Sequence, residues 1–402
     1  MKKIIFTFLS ILLLLCLCLS FTSCSGGDTI TLNVYNWGEY ISDGSEGSLD
    51  VNKEFERYYY ETYGVKLKVN YTTYASNEDM YAKLKSGATS YDVIIPSDYM
   101  IERMISEGML AELNLDNIPN YEYIVDEFRN QYYDPENRYS VPYTYGMVGI
   151  IYNTTMVNEE DIGSWDLLWN ETYSGKILQF NNSRDAFGTA MYRLGLDVNT
   201  KDETAWRAAT DALKAQKPLI QSYVMDEIFN KMKGESGAIA PYYAGDFLSM
   251  YDANNNLAFY YPEEGTNVFV DAMCVPAGSM QKEVAESYIN FMLSKEIAIA
   301  NAEYICYASP NRLVIEDEGY MECMNEMHEN AMEILYPTNE VRSSYYQNLS
   351  SDTLSLLNSL WEELKIESSG GEGVYICSAV IAVVLVAWFG FLYIRKKYRD
   401  NY

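Results

Sequence analysis

The stretch YDVIIPSDYMIERMISEG, Tyr91–Gly108, places a strand, a capping residue and a helix in one short run. Val93–Ile95 is the kind of brief apolar segment that fills a strand buried on both faces. Pro96 ends it. Ser97 is a helix-capping residue, Met100, Ile101 and Met104 follow at helical spacing, and Gly108 offers a left-handed stop.

The same unit recurs outward from there. Upstream, TLNVYNW (Thr31–Trp37) reads as a strand and Leu49–Tyr63 as a helix closed by Gly64. VKLKVNY (Val65–Tyr71) alternates with period two, and Ser76 opens a helix with Asp79 three residues on, like a capping box. Strand–helix–strand at this pitch implies a parallel sheet with helices on both faces. Downstream, a second series runs through VPYTYGMVGIIYN (Val141–Asn153) and GKILQF (Gly175–Phe180). It continues with helices near 186–194 and 203–215, then GAIAPYYAGDF (Gly237–Phe247) and NVFVDAMCVP (Asn267–Pro276). Helices dominate from Glu283 to Leu364. The chain is therefore α/β, and its 402 residues suffice for two domains with separate cores. Trp165 and Trp169, at helical spacing, are expected in core or hinge packing.

Both ends stand apart. Lys2 and Lys3, the apolar run from Ile4 and FTSCSGG (Phe21–Gly27) form a secretory signal over residues 1–23. Its cysteine at the cut point resembles a bacterial lipoprotein signal with Cys24 acylated; an uncleaved signal anchor is the alternative. Residues 367–373 read as a linker. Val374–Ile394 carries no charge and, at 1.5 Å per residue, suffices to cross a ~30 Å bilayer core. RKKYR follows, so 395–402 is expected in the cytoplasm and everything before the helix outside.

The net charge of −28 disfavours nucleic acid and anionic lipid and favours cationic partners, though solubility alone would also suit it. Of seven cysteines, Cys274, Cys306 and Cys323 lie outside the terminal segments, at spacings that fit no metal motif. They read as buried thiols, with a Cys306–Cys323 bridge open. The single histidine, His328, sits in a polar helical stretch and reads as solvated. No nucleophile-elbow, zinc-protease, P-loop or dinucleotide motif occurs, and no metal or cofactor is expected.

In open parallel sheets, ligands sit outside the carboxyl ends of the strands. There the sequence repeatedly sets an aromatic beside an acid: Trp37, Glu39 and Tyr40; Asp98 and Tyr99 after Ser97; Tyr242, Tyr243 and Asp246; Phe269 and Asp271. Asn181, Asn182, Ser183 and Asp185 follow another strand. Aromatic faces attract cations and carboxylates accept their N–H bonds, so the pattern suits an organic ammonium. With 38 tyrosines, a half-buried Tyr beside a solvated acid explains any single pair; the recurrence carries the argument.

YNWGEYI (Tyr35–Ile41), YTTYASNEDMYAKLKSG (Tyr71–Gly87), the opening stretch and YSVPYTYGMVGIIYN (Tyr139–Asn153) in succession resemble the solute-binding proteins of spermidine/putrescine ABC transporters. SWDLLW, YSGKI, YYAGDF and VFVDAMCVPAGS extend the resemblance over about Thr29–Lys365. It implies a two-lobed periplasmic-binding-protein fold (type II) with a hinge. Lobe 1 is expected at 28–143 plus 272–316, lobe 2 at 144–271 plus 317–366. It also implies a binding protein rather than an enzyme, delivering polyamine to permease and ATPase subunits from the extracytoplasmic face of the membrane.

By that resemblance Trp37, Tyr40, Ser97, Tyr99, Phe269 and Asp271 hold ligand, with Asp271 on the amine. Gln347 matches a late glutamine of spermidine binders. The aromatic of YYAGDF is either Tyr242 or Tyr243, and Asp246 matches an acid of the putrescine-specific branch. Spermidine binders carry two acids where this chain has Asn182 and Asp185, so putrescine is expected to bind at least as well as spermidine. Another organic cation, ferric iron held by tyrosines, or a carboxylate-dependent cell-wall hydrolase are the competing readings.

Overall fold

The computed structural model describes residues 29–337 and 341–366. The signal, Cys24, the linker, the 374–394 helix and the basic tail lie outside the described residues. Among the described residues, no helix is long and apolar enough to cross a membrane.

Strands β1 (Ile30–Trp37), β2 (Leu67–Tyr74) and β3 (Val93–Ile94) form one parallel edge of a sheet. The helix Val51–Tyr63 is capped at Asp50, whose side chain accepts from Lys53 N, and ends at Gly64 in the left-handed region. Ser76 caps the helix Asn77–Lys85 by accepting from Asp79 N, as its spacing predicted; such caps contribute about 1 kcal/mol each. Ser97 precedes the helix Asp98–Ser106 but makes no capping bond.

The middle of the sheet departs from the all-parallel expectation. Strands β4 (Ser140–Asn153) and β9 (Thr266–Cys274) run antiparallel to each other, paired from Ser140 opposite Cys274 to Met147 opposite Val268 with a register shift between Pro142 and Thr144. The full order is β2-β1-β3-β9-β4-β7-β5-β6, with β5 (Ile177–Phe180), β6 (Ile220–Val224) and β7 (Ile239–Tyr243) forming a second parallel edge. β8 (Leu257–Tyr260) pairs with β4 and β10 (Ser343–Tyr345) with β9. A strand such as β4 reads locally like any buried strand; only its partner's direction marks it as a crossing, and that is non-local information.

Two apolar cores result. One gathers Leu32, Val34, Phe55, Met80, Ile94 and Tyr288, the other Trp165, Phe180, Phe187, Trp206, Phe247 and Tyr320. Tyr99, Tyr145 and Tyr243 pack against both. Trp165 is buried and Trp169 half-buried, and each indole N–H donates to a backbone carbonyl, of Gly265 and Ala212. Cys274, Cys306 and Cys323 are free thiols. Cys306 Sγ faces Met327 Sδ at 3.6 Å, so no Cys306–Cys323 bridge forms. His328 is not simply solvated: it ends the helix Glu318–Met327, half-buried, with its ring edge-on to Phe247 and Tyr251.

Candidate functional site

Between the two cores lies a cavity that opens to solvent. The ends of β1, β3, β5, β6 and β7 feed residues into it, and β9 crosses its floor. Trp37 closes β1, its Nε1 donating to Ile95 O at 2.9 Å and its ring tilted on Tyr74. Tyr40 follows, 4 % exposed, with its ring edge-on to Tyr307 at 4.7 Å.

Asp271 stands on the floor. It faces Thr144 across the β4–β9 pair and bridges to Ser97 in the turn after β3. Ser97 Oγ donates to its Oδ1 at 2.6 Å and Tyr40 OH to its Oδ2 at 2.8 Å. Ser97 does not cap its helix because its Oγ is turned to the cavity, where it donates to the acid and accepts from Asn77 Nδ2 at 3.0 Å. Tyr40 OH also meets Thr144 Oγ1. Burial pushes the Asp271 carboxyl up to about 7, against the pull of the Ser97 and Tyr40 bonds. Phe269, two residues back on β9, lines the same cavity and stacks edge-on against Tyr243 at 5.3 Å.

Asn182 and Asp185 form the start of the helix Ser183–Arg193. Asn182 Oδ1 accepts from Asp185 N and its Nδ2 donates to Asp185 Oδ2, both at 2.8 Å, so the amide is spent on capping and on its neighbour. Tyr243 OH donates to Asp185 Oδ2 at 2.6 Å. Asp246 lies in the first turn of the helix Ala244–Ala253 and accepts from Tyr307 OH at 2.9 Å. Burial raises it to about 8; Tyr307 opposes the shift, and Asp226 and Glu39 add to it. Both Tyr242 and Tyr243 line the cavity, as does Tyr99, whose OH donates to Glu78 Oε1 at 3.0 Å.

Gln347 does not join them. It is exposed, its N–H donating to Asn199 Oδ1 and its carbonyl accepting from Arg184, and this backbone register turns the preceding Tyr346 into the cavity instead. Reading the sequence for neighbouring aromatic–acid pairs also missed Tyr307, Glu78, Asp226 and Phe229, which all line the cavity. Tyr307 has no acid beside it in sequence; its partner, Asp246, is 61 residues away. Glu78 was legible only as a helix-start acid.

The cavity thus presents three buried carboxylates, Asp98, Asp246 and Asp271, and two half-buried ones, Glu78 and Asp185. Burial is the largest cause raising all five. No lysine, arginine or histidine lines it among the described residues, and no cluster of three or more His, Cys, Asp or Glu is placed to hold a metal ion. Arg184, the nearest cation acting on these acids, spends its guanidinium on Val198 O and Asn199 Oδ1. Buried carboxylates without a cation are costly unless something supplies one. Aromatic walls with acids between them accept an alkyl chain bearing ammonium groups.

Residues 88–320 match the family model of bacterial extracellular solute-binding proteins. The chain is 33% identical over 297 residues to the spermidine/putrescine-binding periplasmic protein of Salmonella typhimurium, covering 73% of this chain and 82% of that one. It is 31% identical over 352 residues to the protein of the same name from Escherichia coli K12, covering 87% and 95%. Among solved structures, the spermidine/putrescine ABC transporter substrate-binding protein PotD from Streptococcus pneumoniae superposes with a TM-score of 0.66 at 34% identity, over 84% of this chain and 99% of that one. The two-lobed α/β architecture is shared with it.

Proposed function

The chain belongs to the bacterial extracellular solute-binding protein family, and from that premise we propose that it is the extracytoplasmic substrate-binding component of an ABC transporter for polyamines, putrescine and spermidine. The observation that carries this reading is the set of buried acids facing an aromatic-walled cavity that no lysine, arginine or histidine lines among the described residues. Asp271 holds one ammonium, oriented by Ser97 and Tyr40. Asp185, Glu78 and Asp246 stand ready for a second, each bonded to a tyrosine hydroxyl that keeps it in place. Trp37, Tyr40, Tyr99, Tyr242, Tyr243 and Phe269 cover the methylenes between. The lobes divide where β4 and β9 cross, at 143/144 and 271/272, and close around the ligand.

The protein works tethered, through a lipid on Cys24 and the 374–394 helix with its basic tail inside, and hands its ligand to permease and ATPase subunits on separate chains. A thermal-shift panel tests the ligand class. A ligand at 100 times its dissociation constant stabilises by about 2.7 kcal/mol, a shift of several degrees or less for a chain of this size. Putrescine and spermidine should produce it, and neutral sugars and amino acids should not. A shift with an amino acid, a sugar or ferric iron and none with polyamine would place the ligand in another class.

A further inference from the structure

At the mouth of the cavity one carboxylate is placed unlike the rest. Asp226 follows β6 and occupies the N-cap position of the helix Glu227–Lys233. An aspartate there ordinarily turns its side chain onto the first backbone N–H groups of the helix. Asp226 makes no such bond. Among the described residues its carboxylate has no hydrogen-bond or ion-pair partner, whereas Asp271, Asp185 and Asp246 each accept from a tyrosine hydroxyl. It reaches across the mouth toward the end of β1 instead. Its Oδ2 lies 2.3 Å from where a Cβ on Gly38 would stand. That approach is open only because residue 38 has no side chain.

The surroundings are all of one sign. Burial, then Glu39 and Glu227, raise the Asp226 carboxyl, and Asp226 in turn raises Asp246. Met225 and Phe229, on either side of it in sequence, line the cavity with it. Asp226 is itself exposed, so water solvates it in the empty protein; beside two other acids and with no partner of opposite charge among the described residues, it would gain its first from an ammonium arriving along the cavity.

Resting on the polyamine reading, we propose that Asp226, held where it is by the absence of a side chain on Gly38, is a specificity-determining carboxylate that takes the third ammonium of a triamine at the cavity mouth. The inner acids Asp271, Asp185 and Asp246 satisfy a diamine. A chain one aminopropyl arm longer reaches the mouth. Asn182 brings no charge to its turn, and Asp226 brings one from a different strand end. On this assignment spermidine binds at least as well as putrescine, the opposite of what the Asn182 turn alone leads one to expect.

The test is calorimetric titration of the full chain in detergent with putrescine and with spermidine. Asp226→Asn should weaken spermidine at least tenfold and putrescine less than threefold, and Asp226→Glu should restore much of the difference. Gly38→Ala should weaken spermidine at least tenfold in the wild-type background, yet less than threefold on top of Asp226→Ala, where the carboxylate it meets is gone. Equal losses for both ligands in Asp226→Asn, no loss for either, or additive effects of the Gly38 and Asp226 changes would overturn the assignment while leaving polyamine binding intact. A wild type that binds neither amine would overturn the polyamine reading itself, and this assignment with it.

Discussion

Replacing Asp271 by asparagine removes a charge but keeps the shape. The carboxylate is 4 % exposed and accepts from Ser97 and Tyr40 at 2.6 and 2.8 Å. Stripping one partner from a buried charged pair costs about 2–5 kcal/mol, so polyamine affinity should fall between about 30-fold and several thousand-fold. The pH dependence sharpens the prediction. With the carboxyl near 7, about one site in ten is ionised at pH 6 and about nine in ten at pH 8. An ammonium ligand needs the ionised form. Wild-type affinity should therefore drop about tenfold from pH 8 to pH 6 through Asp271 alone, and the variant should lose that part of the slope, keeping the part due to Asp246 near 8. Stability of the empty protein runs the other way. Folding raises this carboxyl from 3.8 to about 7, so the native state holds a proton that the unfolded chain has released. Empty-protein stability thus declines as pH rises through that window, by on the order of a few kcal/mol. Asp271→Asn should melt higher than wild type at pH 8 without ligand and show no such advantage at pH 4. Titration calorimetry at two pH values, with a melting curve at each, checks both signs. Unchanged affinity in a folded variant, or a pH slope identical to wild type, would refute the reasoning.

Other consequences are as direct. Trp37 emission should shift on polyamine binding and the shift should vanish in Trp37→Phe, with the remaining tryptophans as internal reference; a shift that survives would take Trp37 out of the site. Gly245→Ala would set a Cβ 2.5 Å from the Tyr307 ring, displacing the hydroxyl that holds Asp246. Affinity should fall at least tenfold with the fold intact by circular dichroism, and wild-type affinity would show that Tyr307 is not fixed by this contact. Cys24→Ala should abolish incorporation of labelled fatty acid while the chain stays in the membrane fraction; its release into the medium would contradict the C-terminal anchor.

Much of this was legible because the chemistry is local. A strand, a capping residue and a helix lie contiguously in Tyr91–Gly108, and Ser76 accepts from Asp79 N where its spacing indicated. Phe269 and Asp271 share a strand face, so both enter the cavity. What was not legible depends on partners distant in sequence. The antiparallel pairing of β4 with β9 joins segments with most of a lobe between them. Tyr307 earns its place through Asp246, and Asp226 through Gly38, and no neighbour in sequence announces either. Gln347 was one residue out of register: the bonds to Asn199 and Arg184 fix the backbone so that Tyr346 points inward. Ser97 looked like a cap and is a hydrogen-bond donor to the site.

The central claim is that this cavity binds a polyamine by its buried acids. Equilibrium titration of the full chain with radiolabelled spermidine, with excess unlabelled putrescine as competitor, reads that claim without intermediaries. The expected result is one saturable site per chain, displaced by putrescine, and lost in the double variant Asp271→Asn, Asp185→Asn. Absence of saturable binding at millimolar spermidine, or binding that persists undiminished in that double variant, would contradict it.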